Sequence, residues 1–277
     1  MSQHVSQRPD VRPAGNPDAQ AEEWVEVAID HPLGIITLTA ARRRNPLSTT
    51  TMRAIADGLC RLDADPDVRV VIIRAVGPAF SAGHDLGELV DRTVDDERAV
   101  FAACTDLMAA VHAVAVPVIA EVAGIAFAAG CQLVATCDLA VAGRSARFST
   151  PGVRIGLFCS TPMVALTRAI GRKRAMAMLL TGDPIDAATA ADWGLINDVV
   201  DDDDLTDVVR DLACRIAASS ASTLAIGKRA FYEQVDLGER DAYQLMQETM
   251  SQNAITCDAQ EGMSAFLQKR PPVWTDS

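Results

Sequence analysis

Apolar and polar positions along the chain follow two rhythms, and the changes between them mark the elements. Trp24 to Ile29 and Gly34 to Thr39 are β-forming runs around Asp30-His-Pro-Leu-Gly34, a hairpin pattern. After Ser48, the apolar residues Met52, Ile55, Leu59 and Leu62 fall three or four apart. That spacing predicts an amphipathic helix with Ser48 as its N-cap. Val68 to Val76 is an apolar run long enough for a strand buried on both faces. Glycine, proline and serine then break the chain over 77–83, and Asp95 to Val116 reads as mostly helical. The chain is organised around its central stretch. There Val116 to Val122 is a strand-like run, Gly124 and Ala128-Ala129-Gly130 form a small-residue turn, and an apolar helical run ends at Asp138 before a second short strand. A loop is expected over 143–161, and the pattern from Pro162 onward is helical apart from a β-type run over 195–200. The last helices are expected over 203–219, 222–235, 239–253 and 258–269, and no internal repeat stands out.

This order divides the chain into an N-terminal arm over 1–23, a β/α-alternating core over 24–200 and a helical region over 201–277. The arm is polar, carries prolines 9, 13 and 17, and is expected to be disordered. The division fits one α/β domain with a helical appendage. Composition narrows the function. The 49% hydrophobic content supports a sizeable core, and with aromatics at 4% that core must be aliphatic. A net charge of -12 argues against nucleic acid as a partner, because phosphate backbones want a basic face. No apolar run approaches membrane-spanning length, and no signal-peptide pattern is visible. Seven cysteines with no Cys-x-x-Cys pair read as reduced thiols in a cytoplasmic setting. No cluster has metal-ligand spacing.

Two stretches can carry chemistry. Gly77-Pro-Ala-Phe-Ser-Ala-Gly-His-Asp-Leu86 follows the strongest strand, and open α/β sheets place ligands beyond strand ends. The central strand–turn–helix is the second. Each has a small-residue turn with an amide that no helix or sheet need claim, and two such amides can form an oxyanion hole. The plainer alternative is that the small residues only permit tight packing.

The segments Pro78-Ala-Phe-Ser-Ala-Gly-His-Asp-Leu86, Val122 to Asp138, Phe148-Ser-Thr-Pro151 with Gly156, Leu180-Thr-Gly-Asp183, Ala190-Ala-Asp-Trp-Gly-Leu195 and Ala265-Phe-Leu-Gln-Lys-Arg-Pro271 together resemble the crotonase (enoyl-CoA hydratase/isomerase) superfamily. The resemblance implies an α/β spiral of ββα units with a C-terminal helical region used in trimerisation. It implies acyl-CoA thioesters as ligands, a homotrimer or a dimer of trimers, and no cofactor beyond the coenzyme A carried by the substrate. The two oxyanion amides would be those of His84 and Ala129. CoA contacts would come from Arg44 in the basic loop, from Ala82, Asp85 and Leu86, and from Phe266 and Lys269 of a neighbouring subunit. A solvated basic loop is the alternative for Arg44.

The departures from the family pattern are chemical. The two glutamates that activate water in its hydratases would fall at Gln132 and Gly152, and a third acidic position, used by some isomerases, falls at Ser160. None of the three can act as a carboxylate base, so ordinary hydration is expected to be weak or absent. A non-catalytic acyl-CoA carrier is the rival reading. Restoring both glutamates is expected to create some hydratase activity if the backbone is intact. Gln132 could instead orient water. His84 has a side chain suited to proton transfer, set against a ring that only bonds locally. Cys159 is read as an apolar liner or a nucleophile, and a nucleophile would need a base or cation beside it. His112 is read as surface or structural.

Overall fold

A computed structural model gives the structure of the protein and describes residues 24–276. The expected arm over 1–23 lies outside the described residues. Val25–Asp30 (β1) and Leu33–Leu38 (β2) form the antiparallel hairpin. Pro46–Leu47 (β3) leads into Thr49–Asp63 (α1), where the Ser48 hydroxyl accepts from the Thr51 N–H at 3.1 Å and caps the helix. Val70–Ala75 (β4), Ala79–Ser81 (β5) and Gly83–His84 (β6) precede Val94–Ala113 (α2), which opens with a capping box of Thr93 and Asp96. Val118–Val122 (β7), Ile125–Phe127 (β8) and Ala129–Thr136 (α3) come next, then Leu139–Gly143 (β9) and Arg147–Ser149 (β10). A 3-10 turn over Pro151–Ile155 connects to Pro162–Ala169 (α4), Arg172–Thr181 (α5), Ile185–Asp186 (β11), Ala187–Trp193 (α6) and Asp198–Val200 (β12). The chain closes with Leu205–Ala217 (α7), Ala221–Gln234 (α8), Glu239–Ala254 (α9) and Cys257–Gln268 (α10).

The strands make a six-stranded sheet in the order β1-β2-β4-β7-β9-β12, a four-stranded sheet in the order β11-β10-β8-β5, and the small pair β3-β6. From β2 onward the large sheet is parallel. Each of β4, β7 and β9 hands the chain to a short strand of the second sheet, β5, β8 or β10, before the next turn of the spiral. This is the ββα architecture of the crotonase fold. One face of the large sheet packs Ile36, Ile73, Ala120 and Val122 against α1, α2 and α3. The other face packs Leu33, Val70, Ile72, Ile119 and Val141 against Leu205, Val209 and Ala213 of α7. Burial on both faces explains the unbroken apolar run of β4. Although α7 lies beyond residue 200, it covers the core sheet, whereas α8, α9 and α10 form the true appendage.

Lys228 fastens that appendage. Its buried ammonium donates to the carbonyls of Val111 and Val116 at 2.8 and 2.9 Å and pairs with Asp138 at 2.8 Å. The same carboxylate accepts from Tyr232 Oη at 2.7 Å and from the Val118 N–H at 2.7 Å. His112 stacks on Tyr232 at 3.8 Å and meets the Thr136 carbonyl at 3.1 Å, so its role is structural.

Candidate functional site

Glycine lets two corners of the chain touch. Gly83 has φ +100°, and a Cβ built there would stand 2.8 Å from Ala128 Cβ and 3.3 Å from the Ala129 nitrogen. Only a residue without a side chain lets β6 lie against the start of α3. Gly130 does the same one layer deeper, where a Cβ would meet the Ser81 carbonyl oxygen at 2.5 Å. Ala128 itself sits at φ 49°, ψ -117°, a region alanine rarely adopts, and its N–H donates to the Ser149 carbonyl at 2.9 Å. The strain therefore falls one residue before Ala129, which opens α3 with ordinary helical backbone. As the first helical residue, Ala129 has an N–H with no acceptor inside the helix.

These corners form one wall of a cavity of about 770 Å³. His84, Ala82, Asp85, Leu86, Ala129, Gly152, Cys159 and Ser160 all line it, so the structure brings together eight residues singled out from the sequence. Gln132 does not line it. That side chain is buried in α3, where its Oε1 accepts weakly from the Cys104 thiol at 3.7 Å. Phe266 and Lys269 also lie away from the cavity of their own chain, on exposed α10 and at its C-cap.

Of the basic loop, Arg43 lines the cavity and Arg44 does not. Arg44 takes a left-handed conformation at φ 62° as the cap of a 3-10 turn, and it offers its backbone carbonyl to the Ala82 N–H at 2.9 Å. Arg43 donates to Asp85 at 2.8 Å and lies over the Trp24 ring at 4.8 Å. Sequence reasoning also missed Arg154 and Phe101. Arg154 is held by the Thr181 carbonyl and Asp183, and Phe101 of α2 meets His84 edge-on at a ring separation of 5.4 Å. Phe101 was visible only as one more apolar residue of a helix. Arg154 lies two residues beyond Gly152, and nothing in its local pattern sets it apart.

Electrostatically the cavity is short of free acids. Among the described residues that line it, Asp85 is the one carboxylate, and it is committed to Arg43 and to the Gly87 N–H at 3.1 Å. Glu88, one turn on, accepts from the backbone and hydroxyl of Thr49 at 2.8 and 2.9 Å. Burial pushes the Cys159 thiol up, so it is protonated at neutral pH, and no hydrogen bond joins it to His84. The neighbouring Cys131 thiol is pushed up to about 12 by burial. Burial lowers the His84 ring below the ordinary histidine value, against the smaller opposing pulls of the Leu47 carbonyl and the Glu88 carboxylate. Both ring nitrogens are shielded from solvent, and the Leu47 carbonyl is the polar atom that pulls on them, short of full hydrogen-bond geometry.

Gly152 is more constrained than its sequence suggests. A Cβ at this position would lie 2.0 Å from the Leu157 carbonyl oxygen and 2.8 Å from Cys159 Sγ. The Leu157 N–H in turn donates to the Gly152 carbonyl at 3.0 Å, which fixes that loop in place. The loop over 156–160 thus fills the space through which a longer side chain at 152 would leave the backbone. A side chain at 152, as in the double glutamate restoration, therefore requires this loop to move. Among the described residues, no group of three or more His, Cys, Asp or Glu side chains is placed to hold a metal ion, and no helix is long and apolar enough to cross a membrane.

A spiral of ββα units with two small-residue corners meeting in one cavity defines a class, and the sequence profile of the enoyl-CoA hydratase/isomerase family matches residues 29–277. The chain belongs to that family. Among its relatives, "Enoyl-CoA hydratase domain-containing protein 3, mitochondrial" of Xenopus laevis is 46% identical over 249 residues, 90% of this chain and 85% of the relative. The human protein of the same name is 46% identical over 242 residues, 87% of this chain and 80% of its own length. The crystal structure of human enoyl Coenzyme A hydratase domain-containing protein 3 superposes with a TM-score of 0.89 at 42% identity, covering 91% of this chain and all of that one (100%). An enoyl-CoA hydratase from Mycobacterium smegmatis gives 0.88 at 43% identity, with 91% and 98% covered.

Proposed function

We propose that the protein binds acyl-CoA thioesters and stabilises the enolate of the acyl group between the backbone N–H groups of His84 and Ala129, with ordinary hydration of 2-enoyl-CoA weak or absent. The observation that carries this reading is the contact at Gly83, which sets the corner bearing His84 directly against the first amide of α3. Preorganised amides of this kind cost no reorganisation during reaction, and losing one donor typically slows catalysis about a hundred- to a thousandfold. The weakness of hydration follows from Gln132, Gly152 and Ser160, which offer no carboxylate to activate water. Coenzyme A enters as part of the substrate, and no separate cofactor is invoked. Ala82, Asp85 and Leu86 would flank it, with Arg43 rather than Arg44 as the local cation. Phe266 and Lys269 would reach the site of a neighbouring copy in a trimer. A reducing, cytosol-like compartment suits seven cysteines that are all unpaired.

The test is a pair of measurements. Titration calorimetry with butyryl-CoA and hexanoyl-CoA is expected to show binding, and crotonyl-CoA is expected to persist in the presence of the protein. Absence of binding would remove the acyl-CoA reading. Hydration at ordinary hydratase rates would remove the claim about the missing acids. Binding without any chemistry at the acyl group would favour an acyl-CoA carrier, a reading supported by the committed state of Asp85.

A further inference from the structure

Resting on the acyl-CoA reading, we propose that Asp85 is a specificity-determining residue: by neutralising Arg43 where the cavity opens to solvent, it makes the site recognise the acyl-pantetheine arm of its ligand and read the nucleotide phosphates only weakly.

A thioester of coenzyme A brings an apolar acyl group, an uncharged pantetheine arm and a nucleotide end with several negative charges. Gripping the charged end calls for cations that are free to bond it. Two arginines line the cavity, Arg43 and Arg154, and each is matched by a carboxylate. Arg43 donates to Asp85 at 2.8 Å. Arg154 pairs with Asp183 and donates to the Thr181 carbonyl at 3.2 Å. Much of the remaining wall is apolar, with Leu86, Leu89, Phe101, Ile155, Leu157 and Phe158 on it. Such a wall suits an acyl group and an uncharged arm better than a phosphate.

The fold fixes both partners of the Arg43–Asp85 pair. Ala41 abuts Gly77, where a Cβ would lie 2.6 Å from the Ala41 Cβ. Asn45 is buried and donates to the Val76 and Ala79 carbonyls at 3.0 and 2.7 Å. The backbone on either side of Arg43 is thereby pinned. The Trp24 ring lies against its guanidinium at 4.8 Å, a cation–π contact that restricts its swing. Asp85 caps the 3-10 turn over Leu86–Glu88 by accepting from the Gly87 N–H at 3.1 Å, so its carboxylate is fixed as well. The guanidinium side chain is 51% exposed and the carboxylate side chain 16%, so Arg43 is the outer member and Asp85 the inner. A phosphate arriving from solvent must compete with a carboxylate already in place and gains only the difference. Glu88, on the same turn and held by Thr49, adds a second negative charge nearby. Arg42 and Arg44 share the loop but are not on the cavity wall.

Charge balance gives the proposal a signature. Removing Asp85 alone frees Arg43 to attract phosphate. Removing Arg43 alone leaves Asp85 to repel it. Removing both leaves the opening as neutral as before. If Arg43 itself gripped phosphate, the double variant would instead bind as poorly as the arginine variant.

The experiment uses the full chain and titration calorimetry at low salt. Its probes are hexanoyl-CoA and hexanoyl-pantetheine, which has the same arm and no phosphate. Hexanoyl-pantetheine is expected to bind wild type no more than about tenfold more weakly than hexanoyl-CoA. Asp85→Asn can still cap the turn. It is expected to tighten hexanoyl-CoA binding about fivefold, the effect of one unit charge at contact distance in water. Its affinity for hexanoyl-pantetheine should stay within about twofold of wild type. Arg43→Gln is expected to weaken hexanoyl-CoA binding about fivefold, and the double variant to return to within about twofold of wild type. Added salt should shrink the differences among the variants. A wild-type preference for hexanoyl-CoA above about tenfold would overturn the proposal, whether or not any variant folds. So would unchanged hexanoyl-CoA affinity in Asp85→Asn, or a double variant as weak as Arg43→Gln. In each of these cases hexanoyl-CoA still binds and the acyl-CoA reading stands. Failure of wild type to bind either probe would sink both together.

Discussion

Single residues decide what this cavity can and cannot do. Gly152 is the clearest case. From the sequence it reads as the position of a family glutamate, with no sign that the loop over 156–160 packs against its backbone. With a backbone oxygen 2.0 Å from the position of a Cβ, glutamate at 152 must displace the chain. Gly152→Glu, alone or with Gln132→Glu, is expected to destabilise the fold by about 1–3 kcal/mol through overpacking and to leave crotonyl-CoA hydration undetectable. Urea denaturation and a hydration assay check the two halves, and recovered hydratase activity would show that the loop yields easily. Ala128 offers the converse test. Its positive φ is a cost of about 1 kcal/mol or more for any residue with a Cβ. Ala128→Gly is therefore expected to raise the urea midpoint at unchanged slope, by a net gain of up to about 1 kcal/mol after glycine's larger unfolded-state entropy is deducted. Gly83 shows why such turns are partly legible. A glycine between a strand and His84 signals close approach, yet what approaches it, the Ala129 amide, lies 46 positions away in sequence (129 less 83) and emerges only from the fold.

At the scale of elements, legibility tracked length. The hairpin β1–β2, the Ser48-capped α1, the apolar β4 and the four final helices were readable because each repeats its period several times. Elements of two or three residues, such as β3, β6, β8 and β10, were not readable, because no periodicity can develop in so few positions. The ββα repeat does not show in the periodicity for the same reason, its second strand being the short one, and it is legible only through the family resemblance. Long-range side-chain pairs were equally invisible, and Lys228 carries the most weight among them. Its ammonium is buried and satisfies two carbonyls and Asp138. Lys228→Met would leave that carboxylate buried without its cation, and breaking such a pair costs about 3–5 kcal/mol. The expected result is a large fall in thermal stability, with the appendage α8–α10 becoming the most protease-sensitive part of the chain. A melting temperature within the error of wild type would count against the latch. His112 adds a pH dependence to the same junction. Burial lowers its folded pKa below the unfolded value. The unfolded chain therefore takes up the proton first, so this contribution to stability is present above about pH 6.5 and declines as pH falls through that value. His112→Gln is expected to flatten the fall in melting temperature between about pH 7 and 5.

The whole molecule raises the question of what covers its appendage. Phe231, Tyr243, Met250, Ile255, Phe266 and Leu267 are all exposed on or beside α8–α10, with Phe266 at 83% and Leu267 at 80%. Single exposed apolar side chains are ordinary, whereas several on three neighbouring helices are what the proposed trimer contact would bury. A second copy of the chain is the partner that the proposed trimer supplies. Lys269 tests that arrangement because it stands at the edge of this surface, in a left-handed cap at φ 54°, and contributes nothing to the cavity of its own chain. If its ammonium serves a neighbour's coenzyme A phosphate, Lys269→Ala should weaken hexanoyl-CoA binding by about three- to tenfold, the size of a partly exposed charge contact. The sedimentation mass and the melting curve should not change, since the side chain lies outside the packed surface. Salt should erode wild-type affinity more steeply than that of the variant, because an exposed phosphate contact is screened. An unchanged dissociation constant at low salt would place the helical surface and the cavity in separate roles. A monomeric wild-type mass would remove the shared site altogether, leaving His84, Ala129 and the cavity of a single chain to account for whatever chemistry the protein performs.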